Sequence, residues 1–180
     1  MTAIRIRTLA LALATTLALA ACGYTLRQAQ PLPQVLNAVV IEAVNLDSLL
    51  VMDLERELKG AGATLKPLNT TGVSVLKIQE ETAERNVISL DDRAKVGEYE
   101  LHYRVVYAVD GADGQPLLRD TPINLSRVYS FDEQQALGAA QEEDLIRSEL
   151  RREAVRMILE RLQRIQDPNR ASESRESATK

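Results

Sequence analysis

The sequence predicts an α+β fold, a two-layer sandwich of about four mostly antiparallel strands with two helices on one face, in the order β-α-β-β-β-α. Three observations carry it. Residues 99–109 alternate, with Tyr99, Leu101, Tyr103, Val105, Tyr107 and Val109 on one side and His102 and Arg104 on the other, the signature of a half-buried strand. Leu50, Leu54 and Leu58 recur every four residues and share one helical face. Ile146, Leu150, Ala154, Met157, Ile158, Leu162 and Ile165 draw a second, longer apolar stripe. Two amphipathic helices cover one face of such a sheet and leave the other to water or a partner.

The elements follow in chain order. Val35 to Val44 is rich in Val and Ile and reads as a strand. Asp47 or Ser48 caps the first helix, and Gly60 and Gly62 end it. Val73 to Gln79 alternates as a strand, with a separate extended piece near Arg85 to Leu90. Asp91-Asp92-Arg93-Ala94-Lys95 is a charged turn into the long alternating strand. Asp110 to Gly114 is a turn, and Leu117 to Phe131 returns as an antiparallel partner. Pro116 and Pro122 cannot donate to a ladder, so the first half of that strand is broken, bulged or at an edge. Helical sequence begins at Asp132, is marked by a break at Gly138, and runs strongly from Glu142 to Ile165. Glu143–Arg147 and Glu160–Arg164 are spaced for i,i+4 ion pairs, and Asp167-Pro168 stops the helix. The folded domain thus spans residues 35–166, and the polar stretch 167–180 is expected to be disordered.

The first residues have a different character. Arg5 and Arg7 precede an uncharged run, Leu9 to Ala21, that is too short to cross a bilayer comfortably and matches a secretory signal over residues 1–21. The only cysteine stands directly after it, in Leu19-Ala20-Ala21-Cys22, which resembles a bacterial lipobox. Cys22 is therefore the expected lipid attachment site, with residues 22–34 as a tether. A single acyl chain holds a protein to a membrane only marginally, whereas several on one residue hold it for long times. Gly23, rather than Asp, fits onward transport to the outer membrane with the domain on the periplasmic side.

Composition narrows the function. Removing residues 1–21 takes two of the 22 basic residues and no acid, which leaves 20 against 26 acidic residues, a net charge of −6 once the terminus is acylated. Such a domain is a poor general polyanion binder, and no nucleic-acid partner is expected. Aromatics are 3% of the chain, which leaves few platforms for stacking bases or sugars. With one His and one Cys there is no multi-histidine metal site and no disulfide framework, and no cofactor is predicted. No nucleophile elbow, phosphate loop or zinc-protease motif occurs, so no catalytic residue is assigned and an enzyme is not expected. His102, between Glu100 and Arg104 on one strand face, reads as a hydrogen-bonded surface histidine. Arg85, Arg93 and Lys95 surround the charged turn, and Arg104, Arg119 and Arg127 are placed to meet on two paired strands; such groups suit lipid phosphates.

Several motifs together resemble the LptE (RlpB) family of lipopolysaccharide-assembly lipoproteins. They are Cys22-Gly23-Tyr24-Thr25-Leu26-Arg27, the Glu98-Tyr99 strand start, Arg127-Val128-Tyr129-Ser130-Phe131-Asp132, and Gln141-Glu142-Glu143-Asp144, in matching order to about residue 165. The resemblance implies an outer-membrane lipoprotein that plugs the lumen of the LptD β-barrel in a one-to-one complex and helps deliver lipopolysaccharide to the outer leaflet. It also implies lipopolysaccharide binding, for which Arg93 and Lys95 are the candidate residues; at the family's second basic position this chain has Ala139-Ala140. The alternative is a free periplasm-facing lipoprotein that binds a lipid or an envelope polymer.

Overall fold

The computed structural model describes residues 32–131 and 136–165. The signal segment, Cys22, Asp132 and the tail after residue 165 lie outside the described residues. Strands β1 (Ala38–Ala43), β2 (Thr64–Leu65), β3 (Ser74–Leu90), β4 (Val96–Asp110) and β5 (Pro116–Ser130) form one sheet in the order β2-β1-β3-β4-β5. Helix α1 (Leu49–Gly60) joins β1 to β2, and helix α2 (Ala136–Leu162) follows β5. The predicted α+β class holds, with five strands in place of about four. The strand not foreseen is β2, only two residues long and parallel to β1. Because β1 also pairs in parallel with β3, the sheet is mixed: β1 is parallel to both its neighbours, and β3-β4-β5 is an antiparallel meander.

The core lies between the helices and one sheet face. Val39, Ile41, Leu76, Ile78, Leu101, Val105, Tyr107, Val109 and Ile123 meet Leu50, Leu54 and Leu58 of α1 and Ile146, Leu150, Ala154, Ile158 and Leu162 of α2. The sequence stripe of α2 is right except at Met157, which is 38% exposed; the neighbouring Val155 is buried instead. Leu32, assigned to the tether, is buried and joins this core. Its partner segment is a 3-10 turn, Gln34–Leu36, so the first strand starts later than predicted. Ser74, the one fully buried polar side chain among the described residues, donates to the Val35 carbonyl at 2.6 Å and so ties that turn to β3.

Local chemistry sets the element ends. Ser48 caps α1, its Oγ accepting from the Val51 N–H at 3.2 Å. At the other end Gly62 takes φ +93°, a left-handed value that favours glycine. The segments 73–79 and 85–90, read as separate pieces, are one 17-residue strand with register shifts at Ile78/Glu80 and Val87/Ser89. Helix α2 passes through Gly138 without the predicted break; an exposed glycine weakens a helix by only ~1 kcal/mol, which the packed face outweighs. Glu160 pairs back with Arg156 at 3.2 Å rather than forward with Arg164. As predicted from its prolines, β5 is an edge strand, with shifts near Leu118 and Pro116. No described helix is long and apolar enough to cross a membrane.

Leu54 has no exposed surface in the helix–sheet interface, whereas Met52, one helix face away, is 53% exposed. Leu54→Ala is expected to lower unfolding stability by ~2–5 kcal/mol and Met52→Ala by about 0.5 kcal/mol or less, as read by urea titration.

Candidate functional site

Two regions of the β3-β4-β5 meander carry the charged and aromatic residues singled out in the sequence: the β3–β4 turn and the seat of α2 on the sheet beside it. The turn is built around Asp91. Its Oδ1 accepts the N–H groups of Lys95 at 2.9 Å and Arg93 at 2.8 Å, and its Oδ2 accepts the Arg93 guanidinium through Nε at 3.2 Å. The backbone N–H of Lys95, then that of Arg93, holds the Asp91 carboxyl below its usual range. Ala94 takes φ +58°, and the Asp91 N–H closes the turn on the Lys95 carbonyl at 2.6 Å. Arg93 and Lys95 thus stand together on a preshaped, exposed turn, with the Arg93 side chain lying along Asp91.

The other basic residues are dispersed. Arg85 belongs to the helix-side face of β3, where it sits 4.4 Å from the ring centre of Tyr99 and pairs with Glu143 at 2.8 Å. Arg104 lies on the bare face, held by Glu80 at 3.0 Å and Asn124 at 2.9 Å. Arg127 pairs across the ladder with Leu101, a core residue, and reaches Glu153 of α2 at 3.9 Å. The expected grouping of Arg104, Arg119 and Arg127 therefore does not form: alternation along paired strands sends Arg104 and Arg127 to opposite faces. His102 lies beside Glu100 on the bare face, with Nε2 at 2.9 Å from the Glu100 carboxylate. Among the described residues no three His, Cys, Asp or Glu side chains group as a metal site would need.

The interaction that sequence reasoning missed centres on Glu143, in the first turns of α2. One carboxylate oxygen accepts from the Tyr129 hydroxyl at 2.7 Å and from Arg85 at 2.8 Å; the other accepts from Arg147 at 2.6 Å. Burial alone would raise this carboxyl, yet the hydrogen bonds from Tyr129, Arg147 and Arg85 bring it down to about 2. Burial, then the bond to Glu143, pushes the Tyr129 phenol up to about 12. Tyr99 completes the cluster, with its ring 5.8 Å from Tyr129 and edge-on to Phe131 at 5.2 Å. The i,i+4 spacing identified Arg147, but no sequence signal ties Glu143 to residues 58 and 14 positions away. A second long-range ion pair, Arg151 to Asp53 at 2.8 Å, links α2 to α1. Burial works against the Asp53 carboxylate, and the bonds from Arg151 and Arg56 still hold it below its usual range.

Because the Glu143 carboxyl is lowered in the folded protein, its contribution is complete above its ordinary value of 4.5 and fades as pH falls toward about 2. Glu143→Gln is expected to lower stability at neutral pH by ~1–3 kcal/mol and to flatten the loss of stability between those pH values, as followed by thermal unfolding across pH.

Comparison with known proteins agrees with this architecture. The crystal structure of rare lipoprotein B from Shewanella oneidensis superposes with TM-score 0.61 at 26% identity, over 70% of this chain and 93% of that one. The solution structure of an uncharacterized lipoprotein B from Nitrosomonas europaea gives TM-score 0.65 at 28% identity, over 78% and 90%. A minor lipoprotein from Acinetobacter baumannii shares the fold, with TM-score 0.61 at 19% identity, over 73% of this chain and 93% of that one. No curated protein sequence matches the chain significantly. Residues 35–162, from the 3-10 turn to the end of α2, match the LptE family, described as lipopolysaccharide-assembly. With the sheet, both helices and the charged turn all inside that match, the chain belongs to the LptE lipopolysaccharide-assembly family.

Proposed function

We propose that this chain is an outer-membrane lipoprotein, anchored through Cys22, that seats in the lumen of an LptD-type β-barrel and forms with it a one-to-one complex delivering lipopolysaccharide to the outer leaflet. The observation that carries the reading is the family match across the whole two-layer body. The proteins it superposes on at 26% and 28% identity are themselves named lipoproteins. The bare sheet face supports it physically. That face presents Glu84, Asn86, Glu100, His102, Asn124 and Ser126, a polar surface suited to the polar interior of a barrel. The role is that of a plug and assembly partner, without catalysis.

Arg93 and Lys95 are proposed to contact lipopolysaccharide phosphates. They project from a turn whose shape is held by Asp91 and the backbone, so their positions do not depend on the ligand. Charge-assisted bonds to phosphate are the strong class of hydrogen bond.

Protein purified through a tag from gently solubilised outer membranes is expected to bring a large β-barrel with it in one-to-one ratio. Recovery of the lipoprotein alone, under conditions that keep other barrel complexes together, would favour the free lipid-binding reading. Arg93→Glu with Lys95→Glu is expected to weaken lipopolysaccharide binding by about tenfold, one charge-assisted bond's worth, with the melting temperature unchanged; unchanged binding would remove these residues from the site.

A further inference from the structure

Strand β3 outruns its neighbour on one side. β1 accompanies it only from Ser74 to Ile78, whereas β4 follows it to Leu90. Residues 79–90 therefore have a ladder on one edge and, among the described residues, no strand on the other. A strand aims alternate backbone N–H and C=O groups at its two edges, so about half of this segment offers an unpaired template. Its side chains are open as well: from Ala83 to Ile88 every residue is exposed, on both sheet faces.

The edge is graded along its length. Its first half carries Glu80, Glu81 and Glu84 against Arg85. Arg85 is engaged by Glu143, Glu80 by Arg104 and Glu81 by the Tyr103 hydroxyl, whereas Glu84 has no ion pair among the described residues. Its second half carries Val87, Ile88 and Leu90, which are 51%, 46% and 61% exposed and have no charge between them. Natural edges are usually shortened, bulged or charged along their length. Here a bulge at Ile78/Glu80 and the acids guard the beginning, and register shifts at Val87/Ser89 and Ser89/Leu90 interrupt the far end, which carries no charge; the ladder is regular from Glu80 to Val87. At that beginning a cleft of about 470 Å³, walled by Ala43, Val44, Ile78 and Ala83, opens where β1 turns away.

We infer that residues 79–90 of β3 form a strand-addition site that takes an extended segment of the barrel partner, basic where it passes Glu80–Glu84 and apolar where it passes Val87–Leu90. Such a segment satisfies the open backbone groups, complements Glu84, places a side chain in the cleft and covers the exposed apolar end. A lipid alone would cover Val87, Ile88 and Leu90 but would leave the backbone edge and Glu84 unmatched. The inference rests on the barrel partnership proposed above and names the surface through which it is made.

Hydrogen exchange read by mass spectrometry tests it, on the full-length lipoprotein alone, in its co-purified barrel complex, and with lipopolysaccharide micelles. Amides in residues 79–90 are expected to slow by about tenfold or more in the complex and to be unchanged with micelles. An intact complex with unchanged exchange there would overturn the inference and leave the partnership standing; equal slowing by micelles alone would overturn it in favour of lipid. Absence of any barrel would overturn both.

A pair of variants gives a second readout. Of Thr82→Pro and Ala83→Pro, one removes an outward N–H and the other a ladder bond to β4. The variant that keeps the wild-type melting temperature is expected to weaken the barrel complex by about tenfold. Wild-type affinity in that folded variant would overturn the inference.

Discussion

A sheet with two amphipathic helices can hide only one of its faces, and this one-sided core governs the molecule. Among the described residues, all the large fully buried side chains except Val40 sit between the helices and one sheet face or beside it, with Tyr107, Leu101, Leu54 and Ile158 near the centre. The second face is mostly polar along the β3-β4-β5 meander, with Val128 exposed among polar neighbours and Val40 and Ala108 buried near its β1 end. The fold is therefore stable as a layer pair yet presents a broad sheet surface. In the proposed barrel lumen that surface would meet polar walls without the cost of burying unpaired groups.

Helix α2 is the element on which that arrangement turns. Its apolar stripe supplies the adhesion, but a stripe does not fix where along the sheet a helix lies. Glu143 supplies the register: Tyr129 of β5, Arg85 of β3 and Arg147 of α2 converge on one carboxylate, and the Arg85 guanidinium also lies against Tyr99 of β4. Three strands and a helix are thus joined at the end of the helix nearest the charged turn. Asp53 and Arg151 do the same between the two helices. Beyond this joint, toward the β3–β4 turn, Val87, Ile88, Leu90, Arg93 and Lys95 are exposed.

Much of this was legible in the residues, for identifiable reasons. Period-two alternation over residues 99–109 and the leucine spacing of α1 are strong local signals, and both elements formed as read. Pro116 and Pro122 left β5 broken, bulged or at an edge, and it is an edge strand with irregular register in its first half. The failures were non-local. The two-residue β2 exists only because β1 offers it a parallel partner, and no sequence pattern announces so short a strand. Bulges hid the continuity of β3, since each shifts the alternation by one residue. The basic residues stand out in the sequence, but pairing register, not sequence proximity, decided that Arg104 and Arg127 face apart while Arg85 meets Glu143.

The bare sheet face is proposed to be the contact surface inside the barrel. Photo-crosslinking in cells tests it directly, with a photoreactive residue placed at His102 or Ser126, both exposed on that face and paired across the β4–β5 ladder. The predicted result is an adduct between the lipoprotein and a single large outer-membrane β-barrel from both positions. Adducts with lipid or with the lipoprotein itself, and none with a barrel, would contradict it.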